Sequence, residues 1–184
     1  IKCGIIDDEK ILSFLLKNRE KILARDYPTV STICTMTLKS KIKFFSQDVY
    51  ENNQRLFLNF GHTFAHAIEM SIENNLKKDH IRHGEAVGLG ILCEIFYANR
   101  GKNLLYKKTE NLLEQFNLPT KLNLKEIRIN PIKLQNTIYK NIFLDKKKIN
   151  QYPRYISLKK QGKPTVHEIK DFDFLNDTIT ELMN

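Results

Sequence analysis

A mostly α-helical domain with one small two-stranded β excursion near residues 153–169 is the fold that these 184 residues predict. Apolar residues recur at helical spacing through most of the chain. Strand-type alternation is confined to Tyr155–Leu158 and Thr165–Ile169, on either side of Gly162-Lys163-Pro164. The seven glycines are scattered and none forms a GxGxxG, so no dinucleotide-binding α/β unit is encoded here. The length suffices for a sizeable core and one domain spanning residues 1–184.

The elements follow in order. Ile1–Ile6 reads as the middle of an element. Asp7 or Asp8 then offers an N-cap with Glu9 in the first turn, and Ile11, Leu12, Leu15, Leu16, Ile22 and Leu23 keep helical spacing to about Arg25. Pro28 suits the first turn of a second helix, whose apolar seam runs Val30, Cys34, Leu38 and Phe45. Lys41 falls on that seam, either as a snorkelling side chain or as a cation aimed into a pocket. Gln47–Gln54 is polar and reads as a loop.

Residues 55–74 form the helix about which the rest is organised. Arg55, Asn59, His62, His66 and Glu69 make one stripe, at steps of four, three, four and three. Phe57, Phe60, Phe64, Ile68 and Ile72 make the opposite, core-seeking face. Four of the five histidines lie between His62 and His83, and solvated faces are built from Lys and Glu rather than from Asn and His. Lys77, Lys78 and Asp79 make a solvated connection to a helix over His83–Arg100. That helix carries only Glu94 as a charge between Ala86 and Ala98, so it should be buried nearly all round. Ala86, Gly88 and Gly90 would let another helix backbone approach, and Gly101 would close the helix as its C′ residue. Leu104–Phe116 and Pro131–Asn141 repeat the amphipathic pattern, the first stopped by Asn117-Leu118-Pro119. Lys140–Lys170 holds nine Lys or Arg against two acids, and a last helix covers Phe172–Met183.

Composition narrows the function classes. No run approaches the roughly 18 apolar residues of a membrane span, and no signal peptide is visible. The three cysteines, Cys3, Cys34 and Cys93, form no CxxC and are expected to be buried free thiols in a reducing cytoplasm. A net charge of +9 fits an anionic small substrate, nucleic acid, or simply an AT-rich genome favouring lysine codons. No nucleic-acid recognition signature accompanies the charge.

His62 and His66, at i and i+4, share one helix face, and His83 at the start of the next helix can return towards His62. Two His, a carboxylate and an open position make a catalytic metal site. His80 competes with His83, but its Lys- and Asp-rich surroundings read as a surface loop.

These residues resemble the C-terminal domain of 3-dehydroquinate synthases, NAD-dependent cyclases of the shikimate pathway. Leu58-Asn-Phe-Gly-His-Thr-Phe-Ala-His-Ala-Ile-Glu69 is similar to the family's hallmark, and His83-Gly-Glu-Ala-Val87 to its second motif. Asp48-Val-Tyr-Glu51 before Arg55, and Asp145-Lys-Lys147 before the strand pair, follow in family order. The resemblance implies that His62 and His83 are metal ligands and that His66 lies by the substrate phosphate and helps move a proton. It implies that Lys2, Lys41, Glu51, Arg55, Asn59 and one of Lys146 or Lys147 line the site. Among these, Lys2, Glu51 and His66 would be catalytic. A pocket cation is then the expected role of Lys41.

The implied substrate is a polyanionic heptulosonate phosphate. The implied cofactors are a divalent metal, Zn or Co, and NAD in the full enzyme. The full reaction is oxidation of a hydroxyl, phosphate elimination, re-reduction and ring closure. The family usually has Gly where Ala65 stands, and Val49 and Asn53 replace a usual Glu and Gly. Its third metal ligand is a Glu three residues before the lysine matching Lys2, upstream of Ile1, and its N-terminal NAD-binding domain is expected to lie outside these residues. The chain is accordingly expected to be a cytoplasmic fragment, inactive alone, with a homodimer open to it and no nucleic-acid or membrane partner. Related readings are a 2-deoxy-scyllo-inosose or valiolone-type synthase, and, from another class, a non-catalytic basic helical binding module.

Overall fold

The chain runs α1 (Lys2–Ile6), α2 (Glu9–Lys17), α3 (Arg19–Leu23), α4 (Tyr27–Gln47), a 3-10 turn (Gln54–Asn59), α5 (His62–Leu76) and α6 (His83–Asn99). It continues through α7 (Leu104–Gln115), α8 (Leu124–Ile127), α9 (Pro131–Leu144), strands β1 (Arg154–Leu158) and β2 (Pro164–Glu168), and α10 (Phe172–Glu181). This computed structural model describes residues 1–50, 54–76, 81–144, 152–158 and 160–183, with backbone alone at 74–76. The fold is therefore the helical one expected, with one antiparallel hairpin pairing Ile156 with Val166.

Side-chain caps start several helices. Asp8 accepts from the Lys10 amide at 2.9 Å, Asp26 from Thr29 at 3.1 Å, Asn103 from Tyr106 at 2.8 Å and Asp171 from Phe174 at 2.9 Å. Each satisfies an amide that the first helical turn leaves without a partner, at about 1 kcal/mol apiece.

Four expectations need correction. The helix predicted to run to Arg25 breaks at Asn18, whose Nδ2 donates to the Phe14 carbonyl at 3.0 Å. A short amide competing for backbone groups ends a helix in this way. The seam expected on α4 is not its core face: Cys34, Leu38 and Phe45 are exposed, and Thr29, Ser40 and Phe44 are buried instead. The apolar residues of α4 surround its circumference, so spacing does not single out a face, and docking on α1 and α2 decides it. Lys41 is accordingly exposed rather than core-facing. At the end of α6 the left-handed residue is Arg100, with φ 56°, while Gly101 donates to the Phe96 carbonyl at 3.0 Å. Arg100 is held there by an ion pair to Asp171 at 2.6 Å and by the Phe174 ring at 4.6 Å. The fourth correction concerns the long histidine helix, described below.

Helix α6 is buried from Ala86 to Ile95, as its composition predicts. It divides the interior into two large clusters. On one side Phe64, Ile68 and Ile72 of α5 meet Leu134 and Ile138 of α9 and Leu175 and Ile179 of α10. On the other, Ile5 and Ile6 of α1 and Phe60 meet Ala86, Ile91 and Ile95 with Ile156 and Leu158 of β1. Burying one such side chain contributes about 1.5–3 kcal/mol. The hairpin is tied down by the Gly162 amide, which donates to the Ile5 carbonyl at 3.0 Å.

Candidate functional site

The stripe from Arg55 to Glu69 does not lie on one helix. Gln54–Asn59 is a 3-10 turn, and α5 starts only at His62, after Gly61 in the left-handed region at φ +83°. The cause is tertiary. The Gly61 carbonyl sits so close to α6 that a Cβ on Gly90 would lie 1.9 Å from it, and a Cβ on Gly61 would lie 2.7 Å from the Val87 carbonyl. Two glycines therefore let the backbones of α5 and α6 touch, which confirms the close approach expected at Gly90.

This contact brings three histidines together. The His62 and His83 rings are 5.4 Å apart between centroids, His62 and His66 5.5 Å, and His66 and His83 6.1 Å. His62 Nδ1 lies 3.3 Å from the Phe60 carbonyl, and His83 Nδ1 lies 3.0 Å from Glu69 Oε1. Burial and the nearby Lys2 charge pull the His62 pKa down to about 4, so this imidazole is neutral at neutral pH. A neutral imidazole that donates from Nδ1 offers Nε2 as a lone-pair donor, the form in which His binds a metal. Among the described residues no three His, Cys, Asp or Glu side chains close on one point as a complete metal cage. The donor chemistry thus fits two imidazole ligands of a site needing a further donor.

His62 and His66 open onto a cleft of about 230 Å³, lined also by Asn59, Thr63, Met70, Asn141 and Arg154. Thr63 Oγ1 donates to the Arg154 carbonyl at 2.5 Å, which joins the start of α5 to β1. Lys2 Nζ donates to the Leu58 carbonyl at 2.5 Å, and burial holds its pKa down to about 8. Lys41 is close enough to Lys2 for its charge to lower that value further.

Glu94 is fully buried beneath the site. Its Oε2 accepts from the Ile156 amide of β1 at 2.7 Å, and burial pushes its carboxyl well above the usual range. The Gly61 and Thr63 amides oppose that shift, although Oε1 has no hydrogen bond among the described residues. One carboxylate from α6 thus faces the turn before His62 and holds the strand that borders the cleft.

Of the predicted site residues, His62, His66, His83 and Asn59 converge, with Lys2 behind them. Arg55 is engaged at the end of α4: its guanidinium lies 3.8 Å over the Phe45 ring and donates to the Val49 carbonyl at 2.8 Å. Glu51, Lys146, Lys147 and His80 lie outside the described residues. Asn141 and Arg154 line the cleft without having been singled out, because their approach to α5 is long-range and leaves no local pattern. Glu69, with a structural part expected, contacts His83, and its place in the histidine stripe was the available signal.

The family profile described as 3-dehydroquinate synthase C-terminal matches residues 1–148. The 3-dehydroquinate synthase of Clostridium tetani is 38% identical over 125 residues, covering 66% of this chain and 32% of that protein. Those of Pelagibacter ubique and Thermodesulfovibrio yellowstonii are 34% and 30% identical, covering 89% and 100% of this chain and 44% and 48% of those proteins. The chain thus spans a third to a half of the length of these curated relatives. Among solved structures, 2-epi-5-epi-valiolone synthase from Streptomyces hygroscopicus, with NAD+ and Zn2+ bound, superposes with a TM-score of 0.73 at 14% identity. It covers 98% of this chain and 48% of that one. A 2-deoxy-scyllo-inosose synthase complexed with carbaglucose-6-phosphate, NAD+ and Co2+ gives 0.68 at 22% identity, over 85% and 42% of the two chains. Identities this low speak for a common fold.

Proposed function

Because the chain belongs to the 3-dehydroquinate synthase family, through its C-terminal domain, we propose that it is the metal- and substrate-binding part of a 3-dehydroquinate synthase. The observation that carries the reading is the convergence of the His62, His66 and His83 rings, the first two of which line one cleft. In this reading the enzyme is a lyase that cyclises a heptulosonate phosphate with loss of phosphate. It uses NAD held outside these 184 residues and a divalent metal such as Zn2+ or Co2+.

His62 and His83 hold the metal, each through the nitrogen its Nδ1 contact leaves available. A divalent metal held there would supply Lewis-acid polarisation of a substrate oxygen. The imidazole of His66, exposed at the cleft, lies by the phosphate and passes a proton to or from the substrate. The Asn59 amide orients a substrate hydroxyl. Lys2 presents a half-buried ammonium to the substrate's negative charge, with Lys41 near enough to add a second positive charge. Arg55, Glu51 and one of Lys146 or Lys147 complete the set. The free thiols of Cys3, Cys34 and Cys93 suit a cytoplasmic setting, and no helix among the described residues is long and apolar enough to cross a membrane.

The other sugar-phosphate cyclases are the rival reading, with which the superpositions at 14% and 22% identity show a shared fold. The curated relatives at 30–38% identity favour 3-dehydroquinate synthase. Metal titration of the purified chain tests the site. Wild type and His66→Ala should take up Co2+ with visible absorption, and His62→Ala and His83→Ala should bind it at least about 10-fold more weakly. Equal binding by all four would refute the assignment.

A further inference from the structure

We propose that Glu69 is a positioning residue: its carboxylate holds His83 in the tautomer that carries the proton on Nδ1, turning Nε2 towards His62 and a divalent cation. This rests on the metal-site reading above and adds a residue to it.

An ionised carboxylate has no proton to give, so a contact of 3.0 Å between Glu69 Oε1 and His83 Nδ1 requires the proton on that nitrogen. The lone pair is then on Nε2, on the far side of the ring. His62 is held the same way by a different group, its Nδ1 lying 3.3 Å from the Phe60 carbonyl. Two imidazoles 5.4 Å apart are thus each engaged on Nδ1 by an oxygen. Free imidazole of a histidine prefers the opposite tautomer, so matched Nδ1 engagement selects one metal-ready state for both rings.

The need for such a residue is greater at His83 than at His62. The His83 side chain is 57% exposed and opens α6, whereas His62 lines the cleft. Glu69 is two turns along α5 from His62, on the same face. The helices run antiparallel, with Gly61 against Gly90 at one end and Glu69 against His83 at the other. The eight-residue step from Gly61 to Glu69 corresponds to about 12 Å of helix. Backbone contact sets the helix separation at the first point, and the carboxylate sets the ring orientation at the second. The Glu69 side chain is itself only 25% exposed, which limits its own rotation.

Long-range proton–nitrogen correlation spectra of the histidines in the metal-free full chain, at about pH 8 where imidazoles are neutral, read the tautomer directly. Wild-type His83 should show the Nδ1-protonated form. In Glu69→Ala it should shift to the Nε2-protonated form, while His62 keeps its own state. Co2+ titration should then show binding weaker by about 10–100-fold in Glu69→Ala, the loss typical of an outer partner to a metal-binding His. Glu69→Gln, which retains an acceptor oxygen, should fall between the two. Finding His83 in wild type protonated on Nε2 would overturn the proposal without any variant. Unchanged tautomer and Co2+ affinity in a folded Glu69→Ala would overturn it too. The two readings fail separately. A wild-type chain that takes up no Co2+ sinks the metal site and leaves the His83 tautomer to decide the role of Glu69.

Discussion

A carboxylate with no exposed surface sets the pH behaviour of the site's foundation. Glu94 has its pKa raised by burial, so the folded chain holds that proton more tightly than the unfolded chain does. The contribution of Glu94 is fully present below its unfolded value and is lost as pH rises through the folded one. Glu94→Gln cannot ionise, yet keeps an oxygen to accept from the Ile156 amide. Urea denaturation of both proteins across about pH 5–8 should show the variant gaining on wild type as pH rises. Parallel stability curves would mean that Glu94 does not titrate with folding. The same residue shows what a side chain's identity does not reveal. Its solitary charge in an apolar helix is visible in the sequence, but its partner amide in β1 is not.

Among the elements, the α5–α6 pair carries the site through two glycines rather than through side chains. A methyl group at Gly90 has no room, because its carbon would overlap the Gly61 carbonyl oxygen, a backbone atom that cannot rotate away. Gly90→Ala should therefore destabilise the chain by about 3 kcal/mol, at the upper end of overpacking costs. It should also weaken Co2+ binding by moving His62 relative to His83. A denaturation midpoint and affinity both unchanged from wild type would contradict the close contact.

Several elements were legible because local pattern and tertiary packing agree. The Phe60, Phe64, Ile68 and Ile72 face is buried as its spacing predicts, and α6, α7, α9, α10 and the hairpin fall where their patterns place them. The histidine cluster was legible because i, i+4 spacing and a short connection leave little freedom. The break at Gly61 was not, because its positive φ is imposed by a helix that begins more than twenty residues later. Helix α4 misled for a different reason: apolar residues on every side leave the docked face to be chosen by α1 and α2. Arg55 followed the broken stripe away from the histidines and onto Phe45.

At the scale of the whole molecule, the exposed side of α4 stands out. Leu38 is 57% exposed, Ile42 54%, Phe45 46% and Val49 65%, spaced so that they share a helical stripe continued past its end. A contiguous apolar stripe on an otherwise basic surface favours self-association. Replacing Leu38 and Ile42 together by Ser should lower light scattering at high protein concentration and leave the unfolding midpoint within about 0.5 kcal/mol of wild type, as for exposed positions generally. A large loss of stability would show instead that these side chains are covered.

The Glu94–Ile156 bond has one more consequence, which concerns time. Its ends are 62 residues apart in the chain, and the amide belongs to a strand near the end of the sequence. During synthesis α5 and α6 are complete long before β1 emerges, so for that interval Glu94 has no strand to hold. The histidine pair can form early from helices that are neighbours in sequence, but the wall of the cleft that contains Arg154 is added late. Contacts closing a loop of this length are slow to form, so the cleft matures after the histidine pair rather than with it.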